Sequence, residues 1–190
     1  MKLSPLPSML RCLASRGWLW GCLLLSGCTL MAQKIAVVED FQTQAYLGQW
    51  YEIARLDHGF ERDLTHVQAH YRLDGDAIRV TNTGYNPKTQ AWQTAKGVAY
   101  FMEGEKRGRL RVSFFRPFYG AYQIHALIPQ SPVAGQYQHA VVMGPSNQYL
   151  WLLSRQPQVD DAIKQRFVNL AQQLEVAPSQ LIWVVQSPKP

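Results

Sequence analysis

The 190-residue chain is 47% hydrophobic and 12% aromatic, with 19 Lys and Arg against 13 Asp and Glu, a formal net charge of +6. An apolar share of that size supports a packed core and excludes a disordered, solvating chain, and the excess of base is too small for a nucleic-acid footprint. Cys12, Cys22 and Cys28 all fall near the N-terminus, so Cys-ligated zinc, iron–sulfur chemistry and a Cys nucleophile are excluded from the rest of the chain.

Residues 1–27 read as an address and not as part of a fold. Lys2, Arg11 and Arg16 form a positive start without any acid, and Trp18 to Leu25 is an apolar run too short to span a bilayer as a helix. The stretch Leu25-Ser26-Gly27-Cys28, small residues before a Cys at the end of an apolar run, resembles the lipobox of bacterial lipoproteins. The resemblance implies cleavage before Cys28 and lipidation of Cys28, against the plainer reading of a secretory signal with an incidental Cys. Thr29 in place of an Asp implies sorting to the bacterial outer membrane, lipid-anchored and facing the periplasm. Several acyl chains on one Cys anchor firmly, because the burial of methylenes adds. Removal of the leader leaves a net charge of about +3, which suits an anionic, phosphate-bearing surface or ligand. Residues 28–36 are then a lipidated tether and 37–190 the folded domain.

The domain opens with Val37 to Phe41, where Asp40 or a neighbour is expected to cap a helical turn that plugs a barrel base. Gly48 to His58 reads as the first strand, with the Gly permitting a tight entry and Trp50 dropping an indole across the closed end of the barrel. Leu64 to Leu73 alternates, with Val67, Ala69, Tyr71 and Leu73 on one face and His66, Gln68, His70 and Arg72 on the other. Asp74-Gly75-Asp76 is a hairpin turn, Ala77 to Tyr85 a strand, and Asn86 to Thr89 a further turn. Strands follow at Ala91 to Met102, around Leu110 to Phe114, at Tyr119 to Ile128, at Gln138 to Met143 and at Gln148 to Ser154. The period then changes: Ile163, Phe167, Leu170 and Leu174 fall at helical spacing behind Asp160 and Asp161, predicting a helix on the outer wall. Leu181 to Val185 is a last short strand beside the first. The fold class is all-β: an eight-stranded antiparallel up-and-down β-barrel with one C-terminal helix packed outside.

Alternation places Ala54, Val67, Ala69, Tyr71, Ile78, Val80, Ala99, Leu110, Val112, Phe114, Tyr122, Ile124 and Trp151 inward. Many of these are small or flat, and with Gly97 they leave voids that a solid core disfavours. The interior therefore reads as a cavity, the plainer alternative being a packed core. Ala54, Phe60, Ala69, Tyr71, Val80, Val112, Phe114, Tyr119, Tyr122 and Trp151 are the expected ligand-binding residues. Glu52 also faces in by strict alternation, and a buried carboxylate needs a partner, expected to be a Tyr hydroxyl or a polar part of the cavity. At the mouth, Leu56 to Arg62 and Arg116 to Gly120 mix aromatic rings with cations; Tyr119 is the favoured contact for a phosphate or carboxylate head, with Arg62 and Arg116 as alternatives. The five histidines form no recognised metal motif, His66 and His70 read as a surface pair, and neither a Gly-x-Ser-x-Gly turn nor a Walker loop occurs. No cofactor is expected.

Tyr149 to Ser154 forms a strand that ends in Arg155, placed to lie flat over the Trp50 ring and close the barrel base. Gly48, Trp50 and Arg155 are thus expected to be structural. Together with Tyr46 to Arg55, Phe60-Glu61-Arg62, Gly84 to Pro87, Val112 to Phe115 and Pro117 to Gly120, this segment carries a resemblance over roughly residues 38–186. The chain resembles a lipocalin, and is similar to the bacterial outer-membrane lipoprotein lipocalins of the apolipoprotein D-like group. The resemblance implies non-enzymatic binding, storage or transport of an amphipathic lipid, a lysophospholipid or fatty acid, with the membrane as a second partner through Cys28. It also leaves a homodimer open, since the family includes dimers. The rival readings are a lipid- or isoprenoid-modifying barrel enzyme, against which the lack of an inward Cys, His or acid–base pair argues, and a pigment or haem carrier.

Overall fold

The computed structural model describes residues 35–187; the leader, Cys28 and the tether as far as residue 34 lie outside the described residues. One helical turn, α1 (Thr43–Tyr46), precedes β1 (Gly48–Arg55). There follow β2 (Thr65–Asp74), β3 (Ala77–Asn86), β4 (Ala91–Phe101), β5 (Arg109–Phe115), β6 (Phe118–Ile128), β7 (His139–Met143) and β8 (Leu150–Ser154). Each strand pairs antiparallel with the next, and β1 pairs with both β2 and β8, so the sheet closes into the expected barrel. Closure satisfies the strand edges that an open sheet would leave unpaired.

Gly48 enters β1 at φ +92°, backbone that a side chain would strain. The expected cap on α1 is not Asp40: Gln42 holds that position without a side-chain hydrogen bond, and Asp40 adopts φ +53° in the turn before it. What secures α1 is the strand behind it, since the Trp50 indole donates to the Tyr46 carbonyl at 2.8 Å. The chain ahead of α1 is also pinned. The Val38 amide donates to the Ile124 carbonyl and the Gly108 amide to the Val38 carbonyl, while Arg109 donates to the Ile35 carbonyl.

A bulge decides which residues of β1 face inward. Glu52 is opposite Leu153 but Ala54 is opposite Leu152, so Ile53 is an extra residue and the alternation inverts after it. Trp50 and Glu52 face in and Arg55 turns in as well. Ala54, expected inside, is instead in the outer apolar cluster with Leu152 and Phe167. A second bulge, between Thr65 and Gln68, alters β2 in the same way. His66 sits there at φ +53° and is buried, so it forms no surface pair with the exposed His70.

Helix α2 (Asp161–Gln173) is capped by Asp160, whose carboxylate accepts from the Ile163 amide at 2.8 Å. It buries Phe167 and Ala171 against Val141, Leu152 and Ile53 on the outside of the barrel. Two apolar layers result, one under α2 and one inside the barrel around Trp50, Tyr46 and Phe41. The last strand, β9 (Ile182–Trp183), pairs with the end of β1 as expected. Beyond it the chain fills the gap where β1 and β2 part. The His66 amide donates to the Val185 carbonyl at 2.7 Å, and the Gln186 side chain donates to the carbonyls of both Glu52 and Val67.

Candidate ligand cavity

The barrel encloses a cavity of about 460 Å³, open at the end carrying the β1–β2, β5–β6 and β7–β8 loops. The closed end is made by β1 and by Arg155, the residue that follows β8. The Arg155 guanidinium lies 3.8 Å from the centre of the Trp50 ring and donates to the carbonyls of Tyr137, Gln49 and Ala45 at 3.0, 2.6 and 3.0 Å. Gly48 sits directly under this stack, where a Cβ would be 3.6 Å from an Arg155 nitrogen. Above it, three phenols form the floor. The Tyr122 hydroxyl is 2.6 Å from that of Tyr46 and 2.9 Å from that of Tyr71. Burial pushes the pKa of all three above the ordinary tyrosine value, so they stay neutral and hydrogen-bonded.

The walls are apolar. Ala69, Val80 and Val112 line the cavity together with Ile78, Ala99 and Leu110. Small side chains make the space, as alternation suggests, with one exception. The room over Gly97 is filled by Phe114: a Cβ on Gly97 would lie 2.9 Å from that ring. Gly97 therefore seats an aromatic wall and leaves no void.

Below the mouth lies a buried charged network that the sequence only hints at through Glu52. The Arg55 guanidinium donates to Glu52 at 2.8 Å and to the Glu61 and Leu64 carbonyls. The Glu61 carboxylate accepts from the Trp151 indole at 3.1 Å and lies 3.1 Å from the His58 imidazole. Burial, and then the neighbouring Glu61, push the Glu52 carboxyl well above the usual carboxylate range, against the pull of the Arg55 guanidinium. Burial acts on Glu61 in the same direction, but the His58 and Trp151 donors outweigh it and keep Glu61 ionised. Each carboxyl thus has a polar partner, Arg55 for Glu52 and His58 and Trp151 for Glu61, which is how such groups survive beside an apolar cavity. Glu52 lines the cavity, one of its two expected settings, and its partner there is not a Tyr hydroxyl but Arg55, which the β1 bulge brings inside.

Of the expected ligand-binding residues, Phe60, Ala69, Tyr71, Val80, Val112, Phe114, Tyr119, Tyr122 and Trp151 all line the cavity or its opening. Ala54 does not, because the β1 bulge turns it outward. Tyr119 stands at the rim, half-exposed, with the Arg111 guanidinium 4.8 Å from its ring. Arg62 is tied to Asp57 at 2.7 Å and Arg116 donates to the Tyr100 hydroxyl at 3.1 Å. Tyr46, Glu61, Phe115, Phe118 and Leu153 also line the cavity, beyond the expected set. Tyr46 is legible only as a neighbour of Gly48, and Phe115 escapes strict alternation because β5 bulges between Val112 and Phe115.

A closed antiparallel barrel around an apolar, one-ended cavity has the architecture of a protein that binds small hydrophobic molecules. The lipocalin-like domain model matches residues 41–186, and the chain belongs to the lipocalin-like family. The outer membrane lipoprotein Blc of Vibrio cholerae is 44% identical over 164 residues, covering 86% of this chain and 93% of the relative. The protein of the same name from Escherichia coli is 46% identical over 153 residues, covering 80% and 83%. Among solved structures, a major cockroach allergen superposes with a TM-score of 0.61 at 20% identity, over 82% of this chain and 94% of the allergen, a likeness of fold.

Proposed function

We propose that the barrel binds and carries a single-chain amphipathic lipid, a fatty acid or lysophospholipid, at the bacterial outer membrane, to which Cys28 anchors it. The observation that carries the ligand class is the shape and polarity of the cavity: about 460 Å³, apolar along its walls and open at one end. That volume falls within the roughly 300–1,000 Å³ of small-molecule sites. One acyl chain enters, and its polar head stays among the rim residues, where the Tyr119 hydroxyl meets a phosphate. The outer-membrane location is supported by the lipobox-like Leu25 to Cys28 and by the names of the relatives.

Burial of each methylene contributes about 0.8 kcal/mol, close to a fourfold gain in affinity. The test is a titration of saturated fatty acids of increasing length against the chain and against Ala99→Trp, which fills the middle of the cavity. Affinity is expected to climb with each methylene until the cavity is full, and to stop climbing at a shorter chain in the variant. Affinity independent of chain length, or a variant indistinguishable from the parent, refutes binding in this cavity.

A further inference from the structure

We propose that the outer face of β2–β5, continued by the β5–β6 hairpin, docks on an anionic phospholipid bilayer and holds the mouth of the barrel against it. A groove on that face is lined by His70, Arg72, Asp74, Arg79, Lys96 and Arg116. Asp74 is its one carboxylate and is occupied by Arg79 at 2.6 Å. Arg72 lies directly opposite Arg79 across the β2–β3 ladder, and Lys96 opposite Thr81 across β3–β4. Like charges facing each other across strands destabilise a sheet. Among the described residues Arg72 and Lys96 form no ion pair, so the groove holds more positive charge than the fold itself neutralises.

This cationic face runs into an apolar tip. Arg111 lies over the Tyr119 ring and 5.7 Å from that of Tyr100, and Arg116 donates to the same Tyr100 hydroxyl. Tyr119 stands where this outer face meets the cavity opening, lining the opening while Arg111 covers its ring. At the hairpin end Phe115 and Phe118 are 74% and 70% exposed, their rings parallel and 6.2 Å apart. Two large apolar rings in water beside guanidinium groups match the layering of a bilayer surface, apolar side chains at the acyl boundary and cations at the phosphates. An acidic protein would meet the cations but would leave the two rings unexplained. Docked in this way, the rim touches the lipid source, and an acyl chain passes between bilayer and cavity without crossing water.

The inference rests on the membrane attachment proposed above only for the nearness of a bilayer, and the test separates the two. Phe118→Cys in the full chain, purified from membranes, is labelled with an environment-sensitive fluorophore and reconstituted with vesicles of phosphatidylcholine, alone or mixed with phosphatidylglycerol. The parent chain treated identically reports whether Cys28 is blocked, and flotation reports whether the chain is anchored. In the mixed vesicles the probe is expected to shift to shorter wavelength and to be quenched by spin-labelled lipid, and to be released by salt. Each cation near an anionic surface contributes roughly fivefold, so Arg72→Gln with Lys96→Gln lowers the docked-to-free ratio about twenty-five-fold. Both side chains lie outside the cavity, so lipid affinity stays as in the parent. Floating vesicles with a water-like probe overturn the docking but not the anchor. Equal burial in neutral vesicles, or a double variant that docks like the parent, overturns the role of the basic face. Displacement of the probe from mixed vesicles by soluble polyphosphate at matched ionic strength would likewise overturn it, marking a general polyanion site.

Discussion

Replacing Arg155 with Ala removes a side chain that joins three separate segments at the closed end. Its guanidinium binds the carbonyls of Ala45 in α1, Gln49 in β1 and Tyr137 ahead of β7, and covers the Trp50 ring at 3.8 Å. A hydrogen bond from a charged donor contributes roughly 1.5–3 kcal/mol and a cation–π contact about 0.5–2 kcal/mol. Arg155 is only partly buried, and solvent screening brings the total below the sum of those contributions, to about 3–5 kcal/mol. At about 2–4 °C per kcal/mol for a chain of this size, the melting temperature falls by roughly 10 °C. Arg155→Lys keeps the charge but cannot present three donors in a plane, so it recovers only part of the loss. The cavity walls do not include Arg155. Thermal unfolding followed by circular dichroism measures the first effect. A fatty-acid titration well below the transition measures the second, which is expected to be small. A large loss of affinity at unchanged stability would refute the separation of a structural base from a binding interior.

Three other outcomes depend on particular groups. Glu52 titrates above the carboxylate range in the fold, so its share of stability is complete below the ordinary pKa of Glu and is lost as pH rises through the raised one. Urea unfolding across that window should show the parent losing up to about 1.4 kcal/mol per pH unit relative to Glu52→Gln, and parallel profiles would remove the raised Glu52 pKa from the account. Tyr119→Phe keeps the ring against Arg111 and loses the hydroxyl; lysophospholipid affinity is expected to drop about ten- to a hundredfold, with a long-chain alcohol little affected. Equal effects on both ligands, or none, would show that Tyr119 is not the head-group contact. Cys28→Ala should move the protein from the membrane fraction to a soluble or unprocessed form, and unchanged fractionation would rule out lipidation at that residue.

Legibility in the sequence tracks the regularity of the backbone. Where strands alternate without interruption, as Ala69 and Tyr71 do in β2 beyond its bulge, side-chain direction is readable and the cavity wall is as expected. Where a strand bulges, one extra residue reverses every later assignment, and a bulge leaves almost no mark in composition. That is why alternation puts Ala54 inside when it packs under α2, and why it misses the inward turn of Arg55. It misplaces His66 for the same reason at the second bulge. The base closure is readable across more than a hundred positions because a strand-ending Arg and an entry Trp are each unusual in kind. The His58–Glu61–Trp151 contact is not, since it depends on how the β1–β2 loop folds back over the rim.

The two apolar layers explain how the barrel can keep a cavity. An empty interior costs stability because the lining atoms lose contact partners. Here the fully buried Phe167 and Ala171 of α2 pack against Ile53, Leu152 and Val141 outside the sheet, and the Trp50 stack consolidates the base. The layer under α2 lies outside the space a ligand would occupy, whereas the inner layer supplies the floor and walls of that space. Leu152 and Leu153 show the division within one strand: adjacent in β8, Leu152 belongs to the layer under α2 and Leu153 to the cavity wall. A strand has two faces, and this fold uses one for stability and the other for capacity. Ala69, Ala99 and Val112 lie instead on β2, β4 and β5, whose outer faces α2 does not cover, and these strands are held by their ladders to their neighbours and by the closed end.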